Sequence, residues 1–179
     1  MVIITGANNG LGLEIVKILV EKNIDVLAIS KHSNNIKKIK NIMYIKGDLS
    51  HTTTIKKVID VINKKKYKID LLINNVGYST LENEKDILKE INAIFSVNLF
   101  SIVNLTERLI KNSQVTFNII NVLSHTAYKG NQNIYYCTSK WALRGYTECL
   151  KIKYGKLGYK ISNFIPCSMK TSYWLNKPI

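Results

Sequence analysis

At 179 residues the chain has the length of one ordinary globular domain, and its 46% hydrophobic residues and two prolines do not suit a long linker or disordered tail. We therefore expect a single domain over residues 1–179. No apolar run approaches the roughly 18 residues of a transmembrane helix, and the start MVIITGANNG lacks the basic and apolar regions of a signal peptide. These features predict a soluble, cytoplasmic protein without a membrane anchor.

The chain is strongly basic, with 26 lysines and arginines against 12 acidic residues and a formal net charge of +14. Such a charge can attract a polyanion, but the lysines are scattered, so we expect no specific nucleic-acid binding and keep polyanion binding only as a third hypothesis. The charge also suits a phosphorylated cofactor.

Cys137, Cys149 and Cys167 have neither the spacing of metal ligands nor that of a disulfide framework, and we expect no metal site.

Short apolar runs alternate with longer segments whose apolar residues recur every three to four positions, which is typical of a parallel sheet covered on both faces. Strands are predicted at Val2–Thr5, Val26–Ser30, Met43–Lys46, Leu71–Asn74, Phe117–Leu123 and Ser162–Ile165. Helices are predicted at Leu11–Lys22, Ile55–Lys65, Asp86–Lys111 and Ile134–Tyr154. We expect a Rossmann-like, doubly wound α/β sheet ordered 3-2-1-4-5-6, with ligands bound at the carboxyl ends of the strands.

The stretch ITGANNGLG joins the first strand to the first helix and contains Gly6, Gly10 and Gly12. Glycine permits positive φ and lets backbone N–H groups approach a pyrophosphate, whose charge is favoured at a helix N-terminus. The spacing differs from the Gly-x-Gly-x-x-Gly fingerprint, so the triplet alone also fits an ordinary strand-to-helix turn. Its place after the first strand, with Thr5 before it, favours a dinucleotide site.

The residues after the second strand bear on which dinucleotide binds. An acidic residue there would accept hydrogen bonds from a ribose 2′-OH and repel a 2′-phosphate, but the chain has Ser30 and Lys31. This favours NADP(H) over NAD(H). The alternative is that Lys31 is one more surface lysine in a lysine-rich chain.

Tyr136 and Lys140 lie four residues apart in IYYCTSKWALRG and therefore share a helix face. A nearby cation stabilises a phenolate and lowers the tyrosine pKa from near 10, which allows proton exchange with an alcohol or carbonyl oxygen. Such a pair alone is common by chance. However, Ser124 follows the fifth strand and could bind the same oxygen. Asn98 lies inside a long apolar helix, either as a core hydrogen-bonding residue or as part of a site.

In order and spacing, the motifs TGANNGLG, GDLS, NNVG, VNLF, NVLSHTA, YYCTSKWAL and PCSMKT resemble those of the short-chain dehydrogenase/reductase family across nearly the whole chain. The resemblance implies an oxidoreductase that interconverts a ketone and a secondary alcohol by hydride transfer with NADP(H). It implies Tyr136 as general acid/base and Ser124 as the group that polarises the carbonyl. Lys140 would assist Tyr136 and hold the nicotinamide ribose, and Asn98 would hold a water in the proton relay.

The same resemblance implies a set of cofactor contacts and a homo-oligomer, a dimer or tetramer, acting on a small carbonyl or alcohol substrate. The cofactor contacts are Thr5, Gly6, Asn9, Gly10, Leu11, Gly12, Ser30, Lys31, Asp48, Leu49, Asn74, Val76, Gly77, Tyr136, Lys140, Pro166 and Thr171. Asp48 would lie against the adenine, Asn74 would buttress the sheet, and Thr171 would contact the nicotinamide end.

Three departures from the family pattern stand out. Val76 replaces the small residue usual in NNAG, and Cys167 stands where glycine normally follows Pro166. Family members also usually continue past the sixth strand with a substrate-covering segment and a seventh strand. We therefore expect the chain to be C-terminally incomplete and keep a second hypothesis, a catalytically weak NADP(H)-binding sensor or scaffold protein.

Overall fold

The computed structural model describes residues 1–80, 86–130 and 132–166. Its strands are β1 (Val2–Thr5), β2 (Val26–Ser30), β3 (Met43–Lys46), β4 (Leu71–Asn74), β5 (Asn118–Val122) and β6 (Ile161–Phe164). Its α-helices are α1 (Gly10–Glu21), α2 (Thr52–Lys65), α3 (Ile87–Phe95), α4 (Ser101–Asn112) and α5 (Ile134–Tyr154). The strands pair in parallel in the order β3-β2-β1-β4-β5-β6, which confirms the predicted doubly wound sheet.

The predicted boundaries agree closely with the observed ones, and the differences have simple causes. Helix α2 begins at Thr52, ahead of the predicted Ile55, because its first turn is polar and the apolar period starts only at Ile55. Strand β6 lies one residue earlier than predicted, since Ile161 is buried at its start and Ile165 falls outside it.

Apolar side chains cover both faces of the sheet. Ile3 belongs to a cluster with Ile55 of α2 and Leu105 of α4, while its neighbour Ile4 packs with Val16 of α1. Successive residues of a strand point to opposite faces, so a strand buried on both sides consists of a continuous apolar run. This explains why β1 reads VIIT rather than alternating with polar residues.

The predicted helix Asp86–Lys111 is observed as α3 and α4 joined by a five-residue π-helical segment, Ser96–Phe100. Such wide turns are frequent at functional sites. The continuous helix Ile87–Asn112 is long and apolar enough to cross a membrane by length and composition, which the lengths of uninterrupted apolar runs did not predict. A core helix passes the same test, and here Leu105 and Leu109 are buried in the sheet-covering cluster.

A chain of buried side-chain hydrogen bonds ties the centre of the sheet to the helices that cover it. Asn74 Nδ2 donates to Asn121 Oδ1 (2.8 Å) and to Thr106 Oγ1 (3.1 Å). Asn121 Nδ2 donates to Thr147 Oγ1 of α5 (2.9 Å). All four residues are fully buried, and Asn121, as both acceptor and donor, is the central link. The network fixes β4 and β5 against α4 and α5.

Replacing Asn121 with alanine should destabilise the fold, because the fully buried Asn74 would lose a hydrogen-bond acceptor. We expect Asn121→Ala to lower the free energy of unfolding by about 1–3 kcal/mol, measured by urea unfolding. Asn118→Ala, at an exposed position of the same strand, is the matched control and should change it by less than about 0.5 kcal/mol. Equal effects of the two substitutions would contradict the role given to the buried network.

Candidate active site

The glycine turn leaves backbone N–H groups open at the start of α1. Gly6 and Gly10 have φ of +66° and +53°, a region that favours glycine. A Cβ at Gly12 would lie 2.5 Å from both Gly6 O and Asn75 Nδ2, so no side chain fits there. Asn9 is the N-cap residue of α1, and the first turn of this helix contains no acidic residue. Unpaired backbone N–H groups at the start of a helix bind anions. The start of α1 is therefore suited to bind a pyrophosphate.

Asn75, which sequence reasoning did not single out, anchors this turn. Its Nδ2 donates to Thr5 O (3.0 Å) and Gly6 O (3.2 Å). The backbone N–H groups of Asn75 and Val76 both donate to Thr5 Oγ1 at 3.0 Å. Thr5, predicted as a cofactor contact, therefore uses its buried hydroxyl to join the carboxyl ends of β1 and β4.

Asparagines also join the glycine turn to the loop after β2. Asn8 Oδ1 accepts from the backbone N–H groups of Asn35 (3.0 Å) and Ile36 (3.1 Å), and Asn8 Nδ2 donates to Asn34 Oδ1 (2.7 Å). Asn35 Nδ2 in turn donates to Asn9 Oδ1 (2.7 Å). The loop that would face the adenosine half of a dinucleotide is thus held in place by the turn itself. Asn9 is one of the predicted cofactor contacts, whereas no sequence signal distinguished Asn8, Asn34 and Asn35 in a chain rich in asparagine.

Just beyond the ends of β2 and β3, Lys31 and Asp48 form an ion pair. Lys31 Nζ lies 3.0 Å from Asp48 Oδ2, while Asp48 Oδ1 accepts from the Ser50 backbone N–H (3.0 Å) and Oγ (2.7 Å). Partial burial raises the pKa of the Asp48 carboxyl, but the hydrogen bonds from Ser50 and the charge of Lys31 outweigh it and bring the pKa to about 2. Ser30 Oγ donates to the His32 carbonyl, and Leu49 is buried in the core.

On the other side of β1, Tyr136, Lys140, Asn98 and Gly77 come together. Lys140 is only 3% exposed, and its Nζ donates to Val122 O at the end of β5 (3.0 Å). The same Nζ lies 5.7 Å from the centroid of the Tyr136 ring. A Cβ at Gly77 would lie 3.8 Å from Lys140 Nζ and 4.0 Å from Asn98 Oδ1, so these two side chains meet beside one glycine.

Asn98 turns out to be both a core hydrogen-bonding residue and a neighbour of the lysine. Its Oδ1 accepts from the Tyr78 N–H (2.7 Å), and its Nδ2 donates to Tyr78 O and to Ser139 Oγ, both at 2.9 Å. Ser139 Oγ donates to Tyr136 O (2.7 Å). The π-helical segment thereby connects the loop after β4 to the turn of α5 that carries Tyr136. Ser139, directly before Lys140, is a second residue that sequence reasoning missed.

Ser124 lies just beyond β5 and begins the short 3₁₀ turn His125–Ala127, which packs against α5. Its Oγ accepts from the Thr126 N–H (3.3 Å), and Asn133 caps α5 by accepting from the Tyr136 N–H (3.1 Å). One cap therefore holds the turn that follows Ser124, and the other holds the first turn of α5, which carries Tyr136.

The remaining predicted contacts fall at the same edge of the sheet or outside the described residues. Leu11 lies in the first turn of α1, Val76 is partly buried against the core, and Pro166 follows β6. Thr171 and Cys167 lie outside the described residues. Within the described ranges, no three histidine, cysteine, aspartate or glutamate residues form a group that could hold a metal ion.

Burial lowers the pKa of the Lys140 ammonium from 10.5 to about 8. Between these values the unfolded chain binds more protons than the folded chain, so stability rises with pH in this range and is lower below pH 8. Lys140→Met should therefore raise the free energy of unfolding at pH 7 by about 1–3 kcal/mol, and its advantage over the wild type should shrink between pH 8 and 10.5.

Urea unfolding at several pH values measures this difference. Lys57→Met, at an exposed position of α2, is the matched control and should change the free energy by less than about 0.5 kcal/mol at every pH. Lower stability of Lys140→Met at pH 7 would contradict the cost assigned to the buried ammonium.

Comparisons with known proteins agree with this geometry. The sequence model of the short chain dehydrogenase family matches residues 1–177. The 3-oxoacyl-(acyl-carrier-protein) reductase FabG of Buchnera aphidicola subsp. Acyrthosiphon pisum is 32% identical, over 95% of this chain and 73% of the reductase.

Two solved structures extend the comparison to bound cofactors. 4-Hydroxyisoleucine dehydrogenase complexed with NADH is 25% identical with a TM-score of 0.83, over 96% of this chain and 77% of that one. ElxO with NADP bound is 25% identical with a TM-score of 0.85, over 96% of this chain and 75% of that one. The chain belongs to the short-chain dehydrogenase family and is an NAD(P)-dependent oxidoreductase that acts on CH–OH or C=O groups.

Proposed function

We propose that the chain reduces a ketone to a secondary alcohol with NADPH, and catalyses the reverse reaction with NADP⁺, using Tyr136 as general acid/base. The observation that carries the proposal is the buried Lys140 ammonium, which meets Asn98 beside Gly77 and lies 5.7 Å from the centroid of the Tyr136 ring. This cluster lies at the same edge of the sheet as the glycine turn, where an open α/β sheet binds its ligand.

The residues present fit a dinucleotide. Gly6, Gly10 and Gly12 would receive the pyrophosphate at the start of α1. A Cβ at Gly12 would collide with Gly6 O and Asn75 Nδ2, so this form of the turn requires glycine there. Asp48 and Leu49 would lie against the adenine, and Ser30 and Lys31 would face the 2′ position of the ribose. On the nicotinamide side, Gly77 leaves space beside Lys140 for the second ribose. A bound cofactor would supply the hydride.

The protein would supply orientation and a proton. The Tyr136 hydroxyl would donate its proton to the carbonyl oxygen during reduction, and its phenolate would accept the alcohol proton during oxidation. The positive charge of Lys140, 5.7 Å from the ring centroid, favours that phenolate. The Ser124 hydroxyl would donate a hydrogen bond to the same oxygen, and Asn98 would support a water that passes protons to Lys140.

The preference for NADP(H) rests on the sequence after β2, which has Lys31 and no acidic residue. The two solved structures that are 25% identical to this chain hold different cofactors, NADH in one and NADP in the other. Family membership alone therefore does not determine the cofactor, which depends on local residues. As substrates we propose 3-oxoacyl thioesters, because several relatives that are 31–32% identical are 3-oxoacyl-(acyl-carrier-protein) reductases.

A homo-oligomer in the cytoplasm completes the proposal. Phe100 and Trp141 are 56% and 45% exposed on the helices that carry the site, and a second copy could cover such apolar side chains. Cys137 and Cys149 are free thiols, which suits a reducing compartment.

Replacing Tyr136 with phenylalanine removes the proton donor but leaves the ring in place. We expect Tyr136→Phe to lower kcat by about 10²–10⁴-fold while the Kd for NADPH stays within about twofold. NADPH absorbance with a 3-oxoacyl thioester measures turnover, and cofactor fluorescence measures binding. Tyr135→Phe, the adjacent tyrosine of α5, should retain turnover. Wild-type turnover of Tyr136→Phe would remove this tyrosine from the mechanism.

NADPH should bind the wild-type chain more tightly than NADH in a fluorescence titration at about 0.15 M salt. Equal affinities, or tighter NADH binding, would contradict the proposed preference. Binding without turnover on a broad carbonyl panel would favour the sensor or scaffold alternative. Affinity that collapses with salt and does not distinguish the two cofactors would instead indicate a polyanion-binding surface.

A further inference from the structure

We propose that Asp48 controls the cofactor preference through Lys31: the Asp48 carboxylate holds the Lys31 ammonium and competes with the 2′-phosphate of NADP(H) for it. This inference rests on the proposed function and deepens it, because it names the residue that limits discrimination between NADPH and NADH. The resemblance to the family implies only that Asp48 contacts the adenine. We infer in addition that Asp48 acts on the neighbouring 2′-phosphate position through its ion pair with Lys31.

The pairing of β2 with β3 brings the two side chains together. Ser30, at the end of β2, is the register partner of Lys46, and the Gly47 N–H donates to Ser30 O (2.9 Å). Lys31 and Asp48 therefore leave adjacent strands at the same edge of the sheet, and their charged groups meet at 3.0 Å. The loop that follows Lys31 is already held by the asparagines of the glycine turn.

The two partners of this ion pair differ in their freedom to move. Asp48 is held by two hydrogen bonds from Ser50, and its side chain is 20% exposed. The Lys31 side chain is 66% exposed, so the ammonium can turn towards another anion while the carboxylate stays in place. A 2′-phosphate would have to share the Lys31 ammonium with Asp48. This competition weakens NADPH binding, whereas NADH, which lacks the phosphate, is not affected by it.

The test uses two nucleotides that lack the nicotinamide, so it does not depend on turnover. Adenosine 2′,5′-bisphosphate and 5′-AMP share the adenine, ribose and 5′-phosphate and differ only at the 2′ position. The ratio of their dissociation constants, measured by calorimetry, therefore cancels the adenine contact of Asp48. Asp48→Asn removes the charge but keeps an oxygen that can accept from Ser50.

We expect Asp48→Asn to raise the preference for the bisphosphate over AMP by about three- to tenfold. In a chain that already carries Lys31→Ala, the same substitution should change the preference by about twofold or less, because the ammonium is gone. Glu148→Gln makes the same change of charge in the Glu148–Lys151 ion pair of α5 (2.8 Å) and should leave the preference unchanged. AMP binding by each variant confirms that the pocket is folded.

An unchanged or lower preference in Asp48→Asn would overturn the inference, and so would an equal gain in the presence and absence of Lys31. These outcomes leave the proposed function intact if the wild-type chain still binds NADPH or NADH. Failure of the wild-type chain to bind either nucleotide and either cofactor would overturn the proposed function, and this inference with it.

Discussion

The burial of the Lys140 ammonium is the constraint on which the rest of the site depends. An ammonium that is 3% exposed needs a fixed acceptor, which is Val122 O at the end of β5. Reaching that acceptor requires α5 to lie in one register over the sheet. The hydrogen bonds from Asn74 through Asn121 to Thr147 set that register further along the helix. The same position of α5 on the sheet therefore satisfies both the buried amide network of the core and the Lys140 ammonium of the site.

Buried and half-buried amide side chains connect the two halves of the site. Asn75 binds the backbone of the glycine turn to the end of β4, and Asn8 binds the same turn to the loop after β2. On the Lys140 side, Asn98 joins the loop after β4 to α5. An amide can donate and accept at once, so each of these residues joins two segments that have no backbone pairing of their own. The proposed cofactor pocket is thus held together by hydrogen bonds within the protein.

The order of the strands and most of the candidate site could be predicted from sequence, because both depend on local patterns. Apolar runs buried on both faces mark strands such as β1, and the ends of those strands locate the motifs. The π-helical segment could not be predicted, since the apolar period continues through Asn98 without a break. Nor could sequence show which asparagine of the pair Asn74 and Asn75 faces the glycine turn. The Lys31–Asp48 ion pair depends on β2 and β3 lying side by side, a contact that local sequence does not contain.

The most direct test of the central claim, that this site transfers hydride to a carbonyl carbon, follows deuterium from the cofactor to the product. The chain is incubated with a 3-oxoacyl thioester and NADPH carrying deuterium at C4 of the nicotinamide, once for each face of the ring. Mass spectrometry then locates the label. The account predicts a 3-hydroxyacyl product with one deuterium on the carbinol carbon from one of the two labelled cofactors. A hydroxyacyl product without deuterium from either cofactor, or no product from a chain that binds NADPH, would contradict it.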